Sequence, residues 1–92
     1  MVDPCMAPGT GTPEPGGLTT RQLLDAVRRI AMSVPLAGID VVEVSPPYDH
    51  AEVTAFLANR VVLEALSGVA WRRRELAGER SRQPDAPLLE DR

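Results

Sequence analysis

The chain contains no lysine, and all ten of its basic residues are Arg, set against 13 Asp and Glu. With a net charge of -3 and aromatics at 3%, it lacks both the basic surface and the stacking side chains of a nucleic-acid binder. A single cysteine, Cys5, excludes an internal disulfide and makes a reducing, cytoplasmic setting the expectation. A single histidine, His50, is too little for a His/Cys metal centre. No uninterrupted apolar run approaches the roughly 20 residues that span a bilayer. The first residues also lack the basic and apolar segments of a secretion signal. Neither membrane insertion nor secretion is expected.

The 92 residues suffice for at most one small domain with a thin core, since chains of this size bury only about 60% of their unfolded surface. Charge divides them unevenly. Residues 1–71 carry four Arg against eight acids, whereas 72–92 carry six Arg against five acids. That shift separates a structured part, 1–71, from a charged tail, 72–92, expected to be disordered from about residue 75.

Residues 1–18 hold four prolines and four glycines, a density that forces repeated turns and forbids helix. Thr19 with Gln22 three residues on forms a capping-box pattern, and Leu23, Leu24, Val27, Ile30, Ala31 and Val34 follow at helical spacing. The spacing predicts a helix over 20–33, ended by Pro35 and Gly38. Ile39-Asp40-Val41-Val42-Glu43-Val44 is short, β-branched and bounded by Gly38 and Pro46, the pattern of an interior parallel strand. Asp49 and Glu52 offer a second cap pair for a helix over about 50–68, with apolar residues on most of its sides.

Helix, strand, helix is a piece of a layered α/β fold. A lone strand has N–H and C=O groups on both edges that need partners, and each one buried unpaired costs about 1–3 kcal/mol. The chain by itself is expected to struggle to fold.

Few residues point to chemistry. Glu43 sits near the carboxyl end of the predicted strand, where open parallel sheets place their ligand crevices. A carboxylate there matches a guanidinium bidentately, and it equally suits a structural ion pair. Gly9-Thr10-Gly11-Thr12-Pro13 lacks the Lys and the preceding strand of a phosphate loop and reads as a close-approach loop with adaptable hydroxyls. Asp49 and Glu52 read as helix caps before metal ligands, and a lone His50 beside them falls short of a site. Cys5 has no orienting partner for nucleophilic work. Arg72-Arg73-Arg74 reads as a solvated helix end.

Three stretches in order carry more: Val2-Asp3-Pro4; Ala7-Pro8-Gly9-Thr10-Gly11-Thr12-Pro13-Glu14 with Gly16-Gly17-Leu18-Thr19; and Asp40-Val41-Val42-Glu43-Val44-Ser45-Pro46-Pro47-Tyr48-Asp49-His50-Ala51-Glu52. Over residues 2 to about 70 the chain resembles the C-terminal part of an agmatinase-type ureohydrolase, in the arginase/agmatinase family. The resemblance implies a three-layer α/β/α fold with a parallel sheet, of which 1–71 would be the C-terminal fragment. It also implies two Mn²⁺ ions bridging a hydroxide, and hydrolysis of a guanidino compound such as agmatine to urea and an amine. Glu43 then resembles the residue that contacts the substrate guanidinium, Thr12 a threonine that supports that contact, and Asp3 a structural aspartate that does not bind metal.

The metal-binding aspartates and histidines of that family have no counterpart here, so no catalytic or metal-ligating residue is assigned. The chain alone is expected to be inactive. Its expected partners are a guanidino small molecule, further copies of itself or a full-length homologue. The competing expectation is a noncatalytic remnant that docks on such a homologue.

Overall fold

The computed structural model describes residues 1–82, and the end of the predicted tail, 83–92, lies outside them. Residues 1–19 form the expected turning loop. Its start and end are stitched by a parallel bridge between Val2 and Leu18. The Asp3 N–H donates to the Leu18 carbonyl and the Leu18 N–H to the Met1 carbonyl, both at 2.8 Å. Gly17 permits this approach, since a Cβ there would lie 2.5 Å from the Met1 carbonyl oxygen.

Helix α1 spans Thr20–Ser33 and begins with a complete capping box. The Thr19 hydroxyl accepts the Gln22 N–H at 3.1 Å, while the Gln22 side chain accepts the Thr19 N–H at 3.0 Å. The Met6 sulfur accepts the next amide, Thr20 N–H, at 3.3 Å. The helix stops where Val34 turns extended, at φ -130° and ψ 153°, because the residue before a proline is pushed out of the helical region.

The predicted strand at 39–44 does not form. Residues 34–45 carry no regular structure, and Ile39, Val41 and Val42 are 51%, 40% and 70% exposed. A parallel strand is defined by its neighbours, and the described residues supply none. A 3₁₀ turn, Pro46–Tyr48, follows.

Helix α2, Val53–Arg82, begins later and runs much further than the predicted 50–68. Its delayed start follows from Ala51 and Glu52, both at positive φ (50° and 63°), which turn the chain before the helix can begin. Glu52 therefore does not serve as a capping partner of Asp49. The charged stretch from 72, read above as a disordered tail, is helical as far as Arg82, because Arg, Glu, Leu and Ala are strong helix formers whatever their charge.

Burial is the other departure. Thr54, Val61, Ala65 and Gly68 are buried, along one face of α2, whereas Phe56, Leu63 and Leu66 are at least half exposed on others. Among the described helices, α1 is the one that packs along α2. At the crossing, a Cβ on Gly68 would lie 2.5 Å from the Ala31 Cβ, so the two helices touch almost backbone to backbone. Glu64 joins them electrically, meeting Arg28 of α1 at 3.1 Å and Arg60 at 3.0 Å. Within α2, Val53–Glu79 is long and apolar enough, by length and composition, to cross a membrane, with a mean hydropathy of 1.4 over its most apolar window. The count of uninterrupted residues missed it because Arg60 and Glu64 break the run.

Candidate functional site

The loop, the 41–44 segment and the first turns of α2 enclose a cavity of about 300 Å³. Its walls include Gly9 and Thr10 from the loop, Val42 and Glu43 from the segment, and Thr54 and Leu57 from the helix. Glu43 is the one charged side chain lining it among the described residues. Its backbone is left-handed, at φ 66°, which is uncommon for a residue with a Cβ and aims the side chain differently from a strand position. No hydrogen bond or ion pair from the described residues reaches its carboxylate. Thr12 is not brought to the cavity wall. It is exposed, and its N–H lies 3.5 Å from the Thr10 hydroxyl within the loop tip.

The cavity is held together at Gly9. Its N–H donates to the buried Thr54 hydroxyl at 2.8 Å, and its carbonyl accepts the Ser45 N–H at 2.7 Å. A Cβ on Gly9 would meet the Asp49 and Thr54 side chains at 2.9 Å, so only glycine lets the loop approach this closely. Asp49 caps α2 from outside, one oxygen accepting the His50 and Thr54 N–H groups at 2.9 and 3.0 Å and the other the Ala55 N–H at 3.1 Å. Burial pushes its carboxyl upward. The Thr54 hydroxyl and the three N–H donors outweigh that and hold it below the ordinary carboxylate value.

Asp3 plays a comparable part in the loop. Its two oxygens accept the Cys5 N–H at 2.9 Å and the Gly16 N–H at 3.0 Å, and these bonds, Cys5 first, lower its pKa. The same carboxylate raises the Cys5 thiol, which makes the thiolate scarcer. The close approach expected of the Gly9 loop is found, whereas sequence reasoning missed its partner Thr54, which carries no chemical signature.

The two manganese ions implied by the resemblance do not fit the side chains present. Among the described residues no three His, Cys, Asp or Glu stand close enough together to hold a metal ion. The carboxylates of Asp3 and Asp49 are turned onto backbone N–H groups.

The agmatinase of Bacillus subtilis (strain 168) is 49% identical over 69 residues, covering 74% of this chain and 24% of the relative. The proclavaminate amidinohydrolase of Streptomyces clavuligerus is 50% identical over 66 residues, covering 72% of this chain and 21% of the relative. The crystal structure of formimidoylglutamase from Bacillus subtilis superposes with a TM-score of 0.72 at 43% identity, over 75% of this chain and 22% of that one. The chain thus spans about a quarter of the length of the curated relatives it matches, and its fold is a portion of theirs. The family model described as Arginase family matches residues 1–68, so the chain belongs to the arginase family.

Proposed function

We propose that this chain supplies the substrate-gripping segment of an agmatinase-like ureohydrolase. Glu43 is the residue that takes the planar guanidinium, pairing two N–H donors with two carboxylate oxygens. Asp3 fixes the loop's shape, and Thr12, at the loop tip outside the cavity wall, takes no part in the grip. The observation that carries this reading is the unpartnered Glu43 carboxylate in the wall of a cavity shared with the Gly9-Thr10 loop. Relatives that bear the names agmatinase and proclavaminate amidinohydrolase support a guanidino or amidino substrate of agmatine's kind. The hydrolysis needs an activated water, which divalent metal supplies in such chemistry. The donor set for that metal is not offered by the described residues, which supports the expectation that the chain releases no urea by itself. A cytoplasmic setting fits a single exposed thiol.

The test is a chimera in which the whole chain replaces the matching quarter of the Bacillus subtilis agmatinase. Urea release from agmatine with Mn²⁺ is expected from the chimera and not from the chain alone, and Glu43→Gln in the chimera is expected to raise KM at least tenfold. Urea from the purified chain alone, or an indifferent Glu43→Gln, would refute the reading.

A second reading, a noncatalytic association module, is favoured by the uncovered apolar side chains of α2 and of the 39–42 segment. Sedimentation of the chain mixed with that agmatinase decides it. Co-migration supports docking, and independent boundaries exclude it.

A further inference from the structure

We infer that Thr54 is a positioning residue for Glu43, acting through Gly9 and Ser45. Thr54 is the one buried polar side chain among the described residues, at 8% exposure. A threonine within the first turn of a helix ordinarily turns its hydroxyl to its own helix backbone or to solvent. This one instead reaches across 45 residues of sequence to accept the Gly9 N–H at 2.8 Å. Gly9 in turn accepts the Ser45 N–H at 2.7 Å. Thr54, Gly9 and Ser45 are therefore coupled in series, and Ser45 stands two residues after the left-handed Glu43.

Each link is constrained. The Thr54 N–H is fixed from behind by Asp49 at 3.0 Å, so the hydroxyl is presented from a capped helix start. Gly9 has no room for a Cβ, with Thr54 and Asp49 side-chain carbons 2.9 Å from where it would sit. The 41–44 segment has no strand neighbours, so the Ser45 bond is the backbone tie nearest to Glu43. Gly9, Glu43 and Thr54 also line the same cavity. A methyl in place of the hydroxyl would keep the volume, remove the hydroxyl's bond to the more exposed Asp49 carboxylate, and leave the Gly9 N–H buried without an acceptor, which frees the loop and the acid it tethers.

The inference rests on the proposed role of Glu43, and the chimera separates the two. Thr54→Val is expected to raise KM for agmatine about tenfold, the size of one lost buried hydrogen bond, with kcat within twofold. Thr54→Ser, which restores the acceptor, is expected to return KM to within twofold of the starting value. An unchanged KM in Thr54→Val, or a Thr54→Ser as impaired as Thr54→Val, overturns the inference while leaving the role of Glu43 standing. If Thr54→Val and the smaller Thr54→Ala both fail to fold, the hydroxyl serves the fold and not Glu43, which also overturns it. A folded chimera that releases no urea removes the reading of Glu43 itself. In the 92-residue chain, Thr54→Val is expected to speed amide exchange at Gly9 and Ser45 at least tenfold while sparing the amides of Val61 and Ala65. Equal exchange at Gly9 and Ser45 in both proteins overturns the inference without recourse to catalysis.

Discussion

Glu43 holds a backbone angle that glycine adopts freely and a residue with a Cβ adopts at a cost of order 1 kcal/mol. Glu43→Gly is therefore expected to raise the melting temperature of the chimera by a few degrees while weakening agmatine binding, a split that calorimetry and titration read separately. Gly9 shows the reverse constraint. Its missing Cβ is filled by Asp49 and Thr54 atoms close to their own backbones, which cannot swing aside, so Gly9→Ala is expected to cost about 1–3 kcal/mol in denaturant melts. The carboxylates of Asp3 and Asp49 both have lowered pKa values. Their contribution to stability is therefore present above the ordinary value of 3.8 and lost as pH falls through the lower native values. Melts of the parent and Asp49→Asn are expected to differ at pH 6 and to converge only once the pH has fallen below the lowered native value of Asp49. A gap that persists in acid would show that Asp49 does not act through its charge. At this scale the sequence revealed Asp49 as a cap but paired it with the wrong residue, since the left-handed turns at Ala51 and Glu52 leave no mark in residue type.

Among the elements, α1 was the most legible, because everything that defines it is local: a capping box, an apolar stripe and a proline after its end. The 39–44 strand was the least, because β-branched residues state a preference that only a neighbouring edge can satisfy. The length of α2 was misjudged for a related reason. Charge was read as disorder, although Arg and Glu propagate a helix well once it has begun. The crossing of the two helices rests on Gly68 against Ala31. Gly68→Ala gains about 1 kcal/mol of helix propensity, but a Cβ 2.5 Å from that of Ala31 forces the axes apart, and the clash is expected to win. The double variant Gly68→Ala/Ala31→Gly is expected to recover stability beyond the sum of its parts, whereas additive losses would place the contact elsewhere.

As a whole the described chain is long and thin, 55 × 20 × 18 Å with a radius of gyration of 16.9 Å, against about 12 Å for a compact domain of its size. Its buried apolar side chains are small ones, Ala7, Ala31, Val61 and Ala65 among them, while Phe56, Leu66 and Val42 are at least 60% exposed. Such a balance is expected to give concentration-dependent self-association in sedimentation and a broad thermal transition. A sharp melt in a monomer would contradict it. That the motifs resemble a portion of a larger fold was legible from sequence, whereas the uncovered faces were not, since an apolar side chain does not announce what covers it. One further consequence lies in the bond between Gly9 and Ser45. It closes the intervening residues, α1 included, into a ring pinned at one peptide. The entropy of such a ring grows only with the logarithm of its length, each doubling adding about 0.6 kcal/mol. Two or three residues inserted after Pro35 are therefore expected to be tolerated almost without penalty.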